Sequence, residues 1–383
     1  MQEDRADLRD QASSSLTRSE TTKPRALLRC DGGVGLGLGH IMRCLALAEA
    51  LNKAGWNCQF AVSQESTRLA ALASAPFQVH GLEHALSPQE LFAIQNGPPD
   101  LLVIDHYEID KDFETACNEW AAKVLILDDL PGRSHVADLL LDSAIDRGSS
   151  DYLGYVPDTC RLLLGPQFAL IRSEISGRRK SMTERRQVRK NCRRLFLSFG
   201  GADRRGLGLQ VLEVLESFEK RLTIDVAISG SSMHVGALEA SAYASNHDIT
   251  IHLDSNEIGE LLEAADLAVG AAGVSAWERC VLGVPSVIVC AADNQRGTYE
   301  ALIKAGAAYG IGPPDTQFAE RMKTAVSELD LNSEERSTIS QRAAQCCDGL
   351  GAQRVAAAIE EIVTKGRTHG SSDLSSGCVA SRP

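Results

Sequence analysis

His40 stands where a short apolar run gives way to five glycines and then to a helical pattern, in Arg29-Cys30-Asp31-Gly32-Gly33-Val34-Gly35-Leu36-Gly37-Leu38-Gly39-His40-Ile41-Met42-Arg43-Cys44. An imidazole titrates near neutrality and can take a proton from water or give one to a leaving oxygen. The glycines let a ligand approach the backbone, and the helix start offers N–H groups and a positive dipole end suited to phosphate. The alternative is a histidine that caps the helix or packs beside the loop. Asp31, at the strand end, is placed either to orient the imidazole or to contact a sugar. Arg43, one turn into the helix, either stabilises charge or forms a structural ion pair. Two nucleotide fingerprints are missing. The loop lacks the Gly-Lys-Ser/Thr ending of a P-loop, and the next strand, WNCQFAVS, ends in Ser63-Gln64 without the acidic residue that would hold an NAD ribose.

Three further turns follow apolar runs. Ser198-Phe199-Gly200-Gly201-Ala202-Asp203 is a phosphate-sized turn between a strand and a helix. Gly270-Ala271-Ala272-Gly273-Val274-Ser275-Ala276-Trp277-Glu278 leads a strand into small residues and a helix, where backbone N–H groups can meet a ligand. Glu278 lies one turn along that helix and has two acceptor oxygens for ribose hydroxyls. It also fits a capping box with Ser275, and the two roles are compatible. Ala291-Ala292-Asp293-Asn294-Gln295 places polar residues directly after a strand. Strand C-terminal ends are where open α/β sheets bind ligands, so these turns point to a cleft between two halves. The adjacent carboxylates Asp128 and Asp129 belong either near the ligand or on a solvated loop edge.

The elements that must position these residues alternate. Strand patterns at 25–31, 56–63, 100–107, 123–129 and 138–142 enclose a helical pattern at 41–55. The pattern restarts with strands at 193–201, 221–230, 249–254, 265–273 and 284–293, and helices at 207–220, 257–265, 275–282, 296–305 and 333–364. Continuous apolar strands between helices indicate parallel sheets covered on both faces. The expected fold is α/β, with two Rossmann-like domains: 25–175, and 193–364 as the nucleotide side. Residues 1–24 and 365–383 read as polar tails. Residues 176–192 read as a basic linker, its charges either solvated or facing an anion.

Composition narrows the function. The chain has 383 residues and a net charge of −12, with 5% aromatic residues, which argues against nucleic-acid binding by charge or by stacking. Eleven scattered cysteines without a Cys-x-x-Cys read as reduced thiols in a cytoplasmic protein. No apolar run is long enough to span a membrane, and no spacing suggests a metal site. A two-domain monomer needing neither metal nor cofactor is expected.

Together the motifs resemble the UDP-2,4-diacetamido-2,4,6-trideoxy-β-L-altropyranose hydrolase family of pseudaminic acid biosynthesis, relatives of inverting glycosyltransferases with the GT-B fold. The matching residues are Arg29, Asp31, Gly37, Gly39, His40, Arg43 and Cys44; Asp105-His106-Tyr107; Asp128-Asp129-Leu130; Leu164-Gly165-Pro166; Ser198 to Asp203; Trp277-Glu278-Arg279; and Ala292 to Gln295. They run in order across about residues 25–330. One departure is the extra glycine content of Gly32-Gly33-Val34-Gly35, which bears on the sugar contacts of that loop. The resemblance implies that water attacks the anomeric carbon and that UDP leaves with inversion. His40 is the implied base or water-orienting group, with Asp31 and Asn294 beside it in the catalytic set. The implied binding set is Gly37, Gly39, Arg43, Tyr107, Gly200, Gly201, Gly273, Val274, Ser275, Glu278, Asn294 and Gln295. A GT-B glycosyltransferase using a UDP-sugar donor, or a non-catalytic UDP-sugar binder, are the competing readings.

Overall fold

The central strands are short, apolar and buried, which commits them to sheets with both faces covered. In the first half the strands are β1 Arg25–Cys30, β2 Asn57–Ser63, β3 Gln78–Leu82, β4 Leu101–Asp105, β5 Val124–Leu127, β6 Leu139–Asp142 and β7 Arg161–Leu164. In the second they are β8 Arg194–Ser198, β9 Thr223–Ile228, β10 Asp248–Leu253, β11 Leu267–Ala271, β12 Ser286–Val289 and β13 Tyr309–Gly310. The helices are α1 Gly39–Lys53, α2 Ala70–Ala73, α3 Pro88–Phe92, α4 Lys111–Trp120, α5 Ser173–Ser176, α6 Arg179–Arg185, α7 Leu207–Leu215, α8 Val235–Ala244, α9 Ile258–Ala264, α10 Val274–Val281, α11 Arg296–Lys304, α12 Phe318–Leu331, α13 Ser333–Cys346 and α14 Gly351–Gly370. This computed structural model describes residues 23–33, 36–94, 97–185 and 192–370. Most of the two expected tails, Val34-Gly35 of the glycine-rich loop and residues 186–191 of the basic stretch lie outside the described residues.

Both sheets are parallel. Their orders are β3-β2-β1-β4-β5-β6-β7 and β10-β9-β8-β11-β12-β13. The expected pair of Rossmann-like domains is therefore present. In each sheet the strand order reverses once, between β1 and β4 and between β8 and β11, and loops leaving the two strands there diverge to open a crevice. The register pairs Cys30 with Asp105 across the first crevice and Ser198 with Gly270 across the second. The residues that follow those positions are the ones singled out by type and spacing.

Over residues 176–185 the basic stretch is largely helical and docked. Arg179 donates to the carbonyls of Val281, Ala344 and Cys347, while Arg178 pairs with Glu174, Glu260 and Glu263. Its guanidinium groups satisfy helix-end carbonyls and carboxylates, a use that hydrophobic periodicity does not reveal. The pattern at 333–364 is not one helix. It breaks at Cys347, and α14 crosses back to the first sheet, burying Ala352, Val355, Ala356 and Ile359 with Cys44, Leu47, Ala48 and Leu51 of α1. Alanine at two of those α14 positions, Ala352 and Ala356, keeps the helix surface slim where it packs on α1.

Candidate active site

His40 lies in the first turn of α1, which begins without a side-chain cap. Gly37 takes φ +77 to turn the chain into that helix, and Gly33 and Gly37 exchange backbone hydrogen bonds of 2.9 and 2.8 Å that close the loop. The imidazole Nδ1 is 2.5 Å from Asp105 Oδ1, at the end of β4. Asp105 is fully buried and also accepts from Arg43 Nε at 2.6 Å and Nη2 at 2.5 Å, with Cys44 Sγ 3.6 Å away. Burial alone would raise the Asp105 carboxyl; the Arg43 guanidinium and His40 outweigh it and hold the group below the usual carboxylate range. A carboxylate at 2.5 Å requires the proton on His40 Nδ1. Arg43 Nη2 is 3.2 Å from that nitrogen because both donors converge on one oxygen. Nε2 is then the basic nitrogen, and the ring borders the cleft.

Tyr107, just beyond β4, packs edge-on against the imidazole with centroids 4.8 Å apart and planes at 79°. Its hydroxyl donates to Asp129 Oδ1 at 2.9 Å, and Asp129 Oδ2 lies 3.3 Å from Arg43 Nη1. Burial and the Asp129 charge push the phenol well above its ordinary value. Of the two adjacent carboxylates, Asp129 thus faces the cleft. Asp128 turns inward to His135 Nε2 at 3.2 Å, and His135 Nδ1 meets Glu114 Oε1 at 2.8 Å. Tyr152 donates to the Asp128 carbonyl and to Asp142, so the Asp129 loop is anchored from behind.

Asp31 does not join His40. Its carboxylate accepts from Arg29 Nη2 at 2.7 Å, the Ser63 backbone N–H at 2.6 Å and Ser66 Oγ at 3.3 Å, with His106 Nε2 at 3.3 Å. The Glu108 N–H donates to His106 Nδ1, which leaves the proton on Nε2 for Asp31. Asp31 is only 4% exposed and does not border the cleft. It braces the base of the glycine-rich loop, and Asp105 takes the place beside the imidazole.

The facing wall comes from the second domain. Gly200 and Gly201 leave β8, and a Cβ on Gly201 would stand 2.5 Å from Leu38 Cδ1 of the first domain. A larger residue there would make Leu38 shift where the two loops meet. Val274 lies beside Gly39 at ordinary contact distance, 3.5 Å from where a Cβ would stand. Gly273 precedes α10, which, like α1, begins without a side-chain cap. Ser275 is the second residue of α10 and its Oγ accepts from Arg279 Nη1 at 3.2 Å, so no Ser275–Glu278 capping box forms. Glu278 instead meets Arg172 Nη2 at 3.4 Å. Gln295 Oε1 accepts from the Ala291 N–H, and Asn294 Nδ2 reaches across to the Tyr107 hydroxyl at 3.3 Å.

Gly37, Gly39, His40, Arg43, Tyr107, Gly200, Gly201, Gly273, Val274, Ser275, Glu278, Asn294 and Gln295 all border one cleft of about 620 Å³ between the domains. Asp203 borders the same cleft and also caps α7, accepting from the N–H groups of Leu207 and Gly208. Asp129 takes the ligand-side place that was one of its two readings, while Asp105 and Arg172 emerge as site residues without assigned roles in the sequence. For Asp105 and Asp129 the available signal was an acidic residue closing or following a buried strand. Arg172 carries no such mark. Among the described residues no helix is long and apolar enough to cross a membrane. No described cysteine is in a disulfide.

No family model matches the chain. It is 28% identical over 283 residues to the UDP-2,4-diacetamido-2,4,6-trideoxy-beta-L-altropyranose hydrolase of Campylobacter jejuni, covering 74% of this chain and 97% of that protein. To the spore coat polysaccharide biosynthesis protein SpsG of Bacillus subtilis it is 26% identical over 345 residues, covering 87% and 96%. An uncharacterized protein of Methanocaldococcus jannaschii is 25% identical over 279 residues, which span 72% of this chain but only 57% of that protein. Among solved structures, MurG of Acinetobacter baumannii superposes with a TM-score of 0.63 at 14% identity, covering 88% of this chain and 99% of that one. The calicheamicin glycosyltransferase CalG4 gives 0.57 at 13% identity, covering 90% and 98%. The fold is GT-B, and the resemblance to the hydrolase read from the motifs recurs along most of the chain.

Proposed function

We propose that the protein hydrolyses a UDP-sugar with inversion at the anomeric carbon. The observation that carries this reading is the His40–Asp105 pair at the mouth of α1, set opposite the uncapped start of α10 in one cleft. A base on one side and an anion-stabilising surface on the other is what an inverting displacement requires. The cleft volume of about 620 Å³ falls in the usual range for small-molecule sites. Asp105 fixes the Nδ1–H tautomer and stabilises the imidazolium that forms. His40 Nε2 takes a proton from water as the water oxygen bonds to the anomeric carbon. The bond from that carbon to the UDP oxygen breaks, and UDP leaves as the anion.

On this reading the backbone N–H groups at Gly200-Gly201 and at Gly273-Val274-Ser275 receive the diphosphate. Glu278, held at one oxygen by Arg172, offers the other to the ribose. Asn294 and Gln295 reach the sugar from the second domain, and Tyr107 and Asp129 border it from the first. The Campylobacter jejuni relative is named for the 2,4-diacetamido-2,4,6-trideoxy-β-L-altropyranose donor, and we take that sugar, and with it a step in pseudaminic acid biosynthesis, as the specific assignment.

Proton NMR of the protein with that UDP-sugar and no acceptor tests the proposal. UDP and a free sugar that first appears as the inverted anomer are expected, and both should be lost in His40→Ala while UDP still binds. Turnover only when a hydroxyl acceptor is added would replace the hydrolase with a transferase. Bound but unchanged UDP-sugar under both conditions would leave a binding protein.

A further inference from the structure

Arg279 is one of the most deeply buried side chains of the molecule, at 2% exposure. It lies toward the C-terminal end of α10, where a cation suits the helix dipole, yet its side chain runs back toward the N-terminal end. There Nη2 donates to the Ala271 carbonyl at 2.7 Å and Nη1 to Ser275 Oγ at 3.2 Å. Nε has no partner. Among the described residues no carboxylate pairs with it; the neighbouring Glu278 is turned to Arg172. Burial pushes the guanidinium down to about 10, which still leaves it protonated at neutral pH.

A buried cation without a counter-ion is costly, and placing it at the positive end of a helix adds to the cost. The backbone has been shaped to admit it. A Cβ on Gly270 would collide with the Ser198 carbonyl and come within 3.0 Å of Arg279 Nη1. Two neutral acceptors hold the group in a fixed position against the loop from Ala271 to Ser275, and both that loop and Arg279 line the cleft.

We propose that Arg279 is a positioning residue whose buried charge is neutralised by the diphosphate of the bound nucleotide, acting through the loop and helix start that receive it. The inference rests on the nucleotide reading above and extends it. Arg279 acts through Ser275 and the Ala271 carbonyl, so its contribution is to anion affinity and not to recognition of the nucleoside.

Calorimetric titration of UDP and of uridine, with thermal melts, separates the possibilities. Arg279→Met should weaken UDP by about 10- to 100-fold, leave uridine within about twofold, and shrink the UDP-induced rise in melting temperature. The ligand-free melting temperature should hold or rise, because an uncompensated charge has gone. Arg279→Lys should restore most of the UDP affinity, and comparing it with Arg279→Gln carries the same test if the Met variant does not fold. Equal UDP affinity in wild type and the neutral variants would overturn the proposal, as would equal losses for UDP and uridine. A wild type that binds no UDP would instead overturn the nucleotide reading, and this inference with it.

Discussion

Replacing Asp105 by asparagine isolates what the carboxylate does for His40. Three donor groups converge on Asp105 within 2.6 Å: His40 Nδ1, Arg43 Nε and Arg43 Nη2. An amide of the same shape has one acceptor oxygen where Arg43 now uses both, Nε at Oδ2 and Nη2 at Oδ1; with the oxygen kept at Nε, the NH2 takes the Oδ1 position that His40 Nδ1 shares with Nη2. The NH2 group is then left opposite Nδ1, and the imidazole can meet it only by accepting there and carrying its proton on Nε2. That nitrogen loses the lone pair that would receive a proton from water. Turnover should fall about 10³- to 10⁴-fold, equivalent to about 4–5.5 kcal/mol of transition-state stabilisation. Losing a buried charge opposite Arg43 should also cost about 3 kcal/mol of stability, moderated by the remaining Asp129 partner. UDP affinity should stay within a few-fold, since Asp105 does not border the cleft. Turnover by NMR, UDP binding by calorimetry and a urea melt on the same sample measure all three. A folded Asp105→Asn protein turning over within tenfold of wild type would refute the tautomer argument.

Glu278→Gln should weaken UDP by about 10- to 100-fold and barely change the affinity of the deoxyribose analogue; equal losses for both would remove the ribose assignment. Gly201→Ala places a methyl group against Leu38, 2.5 Å from its Cδ1, so Leu38 must shift within the interdomain contact; KM should rise more than kcat falls, and a kcat loss with unchanged KM would contradict this. His135 is 3% exposed between Glu114 and Asp128. Burial would lower its imidazolium, but the two carboxylates outweigh burial and push it up to about 9 from an ordinary 6.5. The folded value lies above the unfolded one, so its stabilisation, on the order of 3 kcal/mol, is complete below about pH 6.5 and lost as pH rises through about 9. Urea melts from pH 6 to 10 should show this loss in wild type and not in His135→Gln; parallel curves would exclude it.

The two-sheet architecture was legible because the strands advertise themselves: Leu101–Asp105 and Leu267–Ala271 are buried at every position, as parallel strands between helices must be. β3, β7 and β13 carry no such signal, because exposed or intermediate residues interrupt burial there, as at an edge of either sheet. The glycine turns of the cleft were legible for the same reason as the strands, since each follows one directly. Partner choice was not. Asp31 lies close to His40 along the chain, yet pairing across β1 and β4 puts Asp105 beside Cys30 and under the first turns of α1, while Arg29, Ser63 and His106 enclose Asp31. Which carboxylate reaches the imidazole is decided by sheet order, and sheet order is a property of the whole domain.

The return of α14 to the first domain has a consequence for how the chain is made. The first sheet closes at Leu164, but its core also takes Val355, Ile359 and Val363, nearly two hundred residues downstream. At a synthesis rate of about 5–20 residues per second, the nascent first domain waits roughly 10–40 s with the apolar face of α1 uncovered. Meanwhile the second domain has every strand of its sheet by Gly310 and needs nothing from the first to pair them. The half that emerges first is thus the last to be completed. Ending the chain ahead of α14 would injure the His40 domain while sparing the sheet nearer the cut.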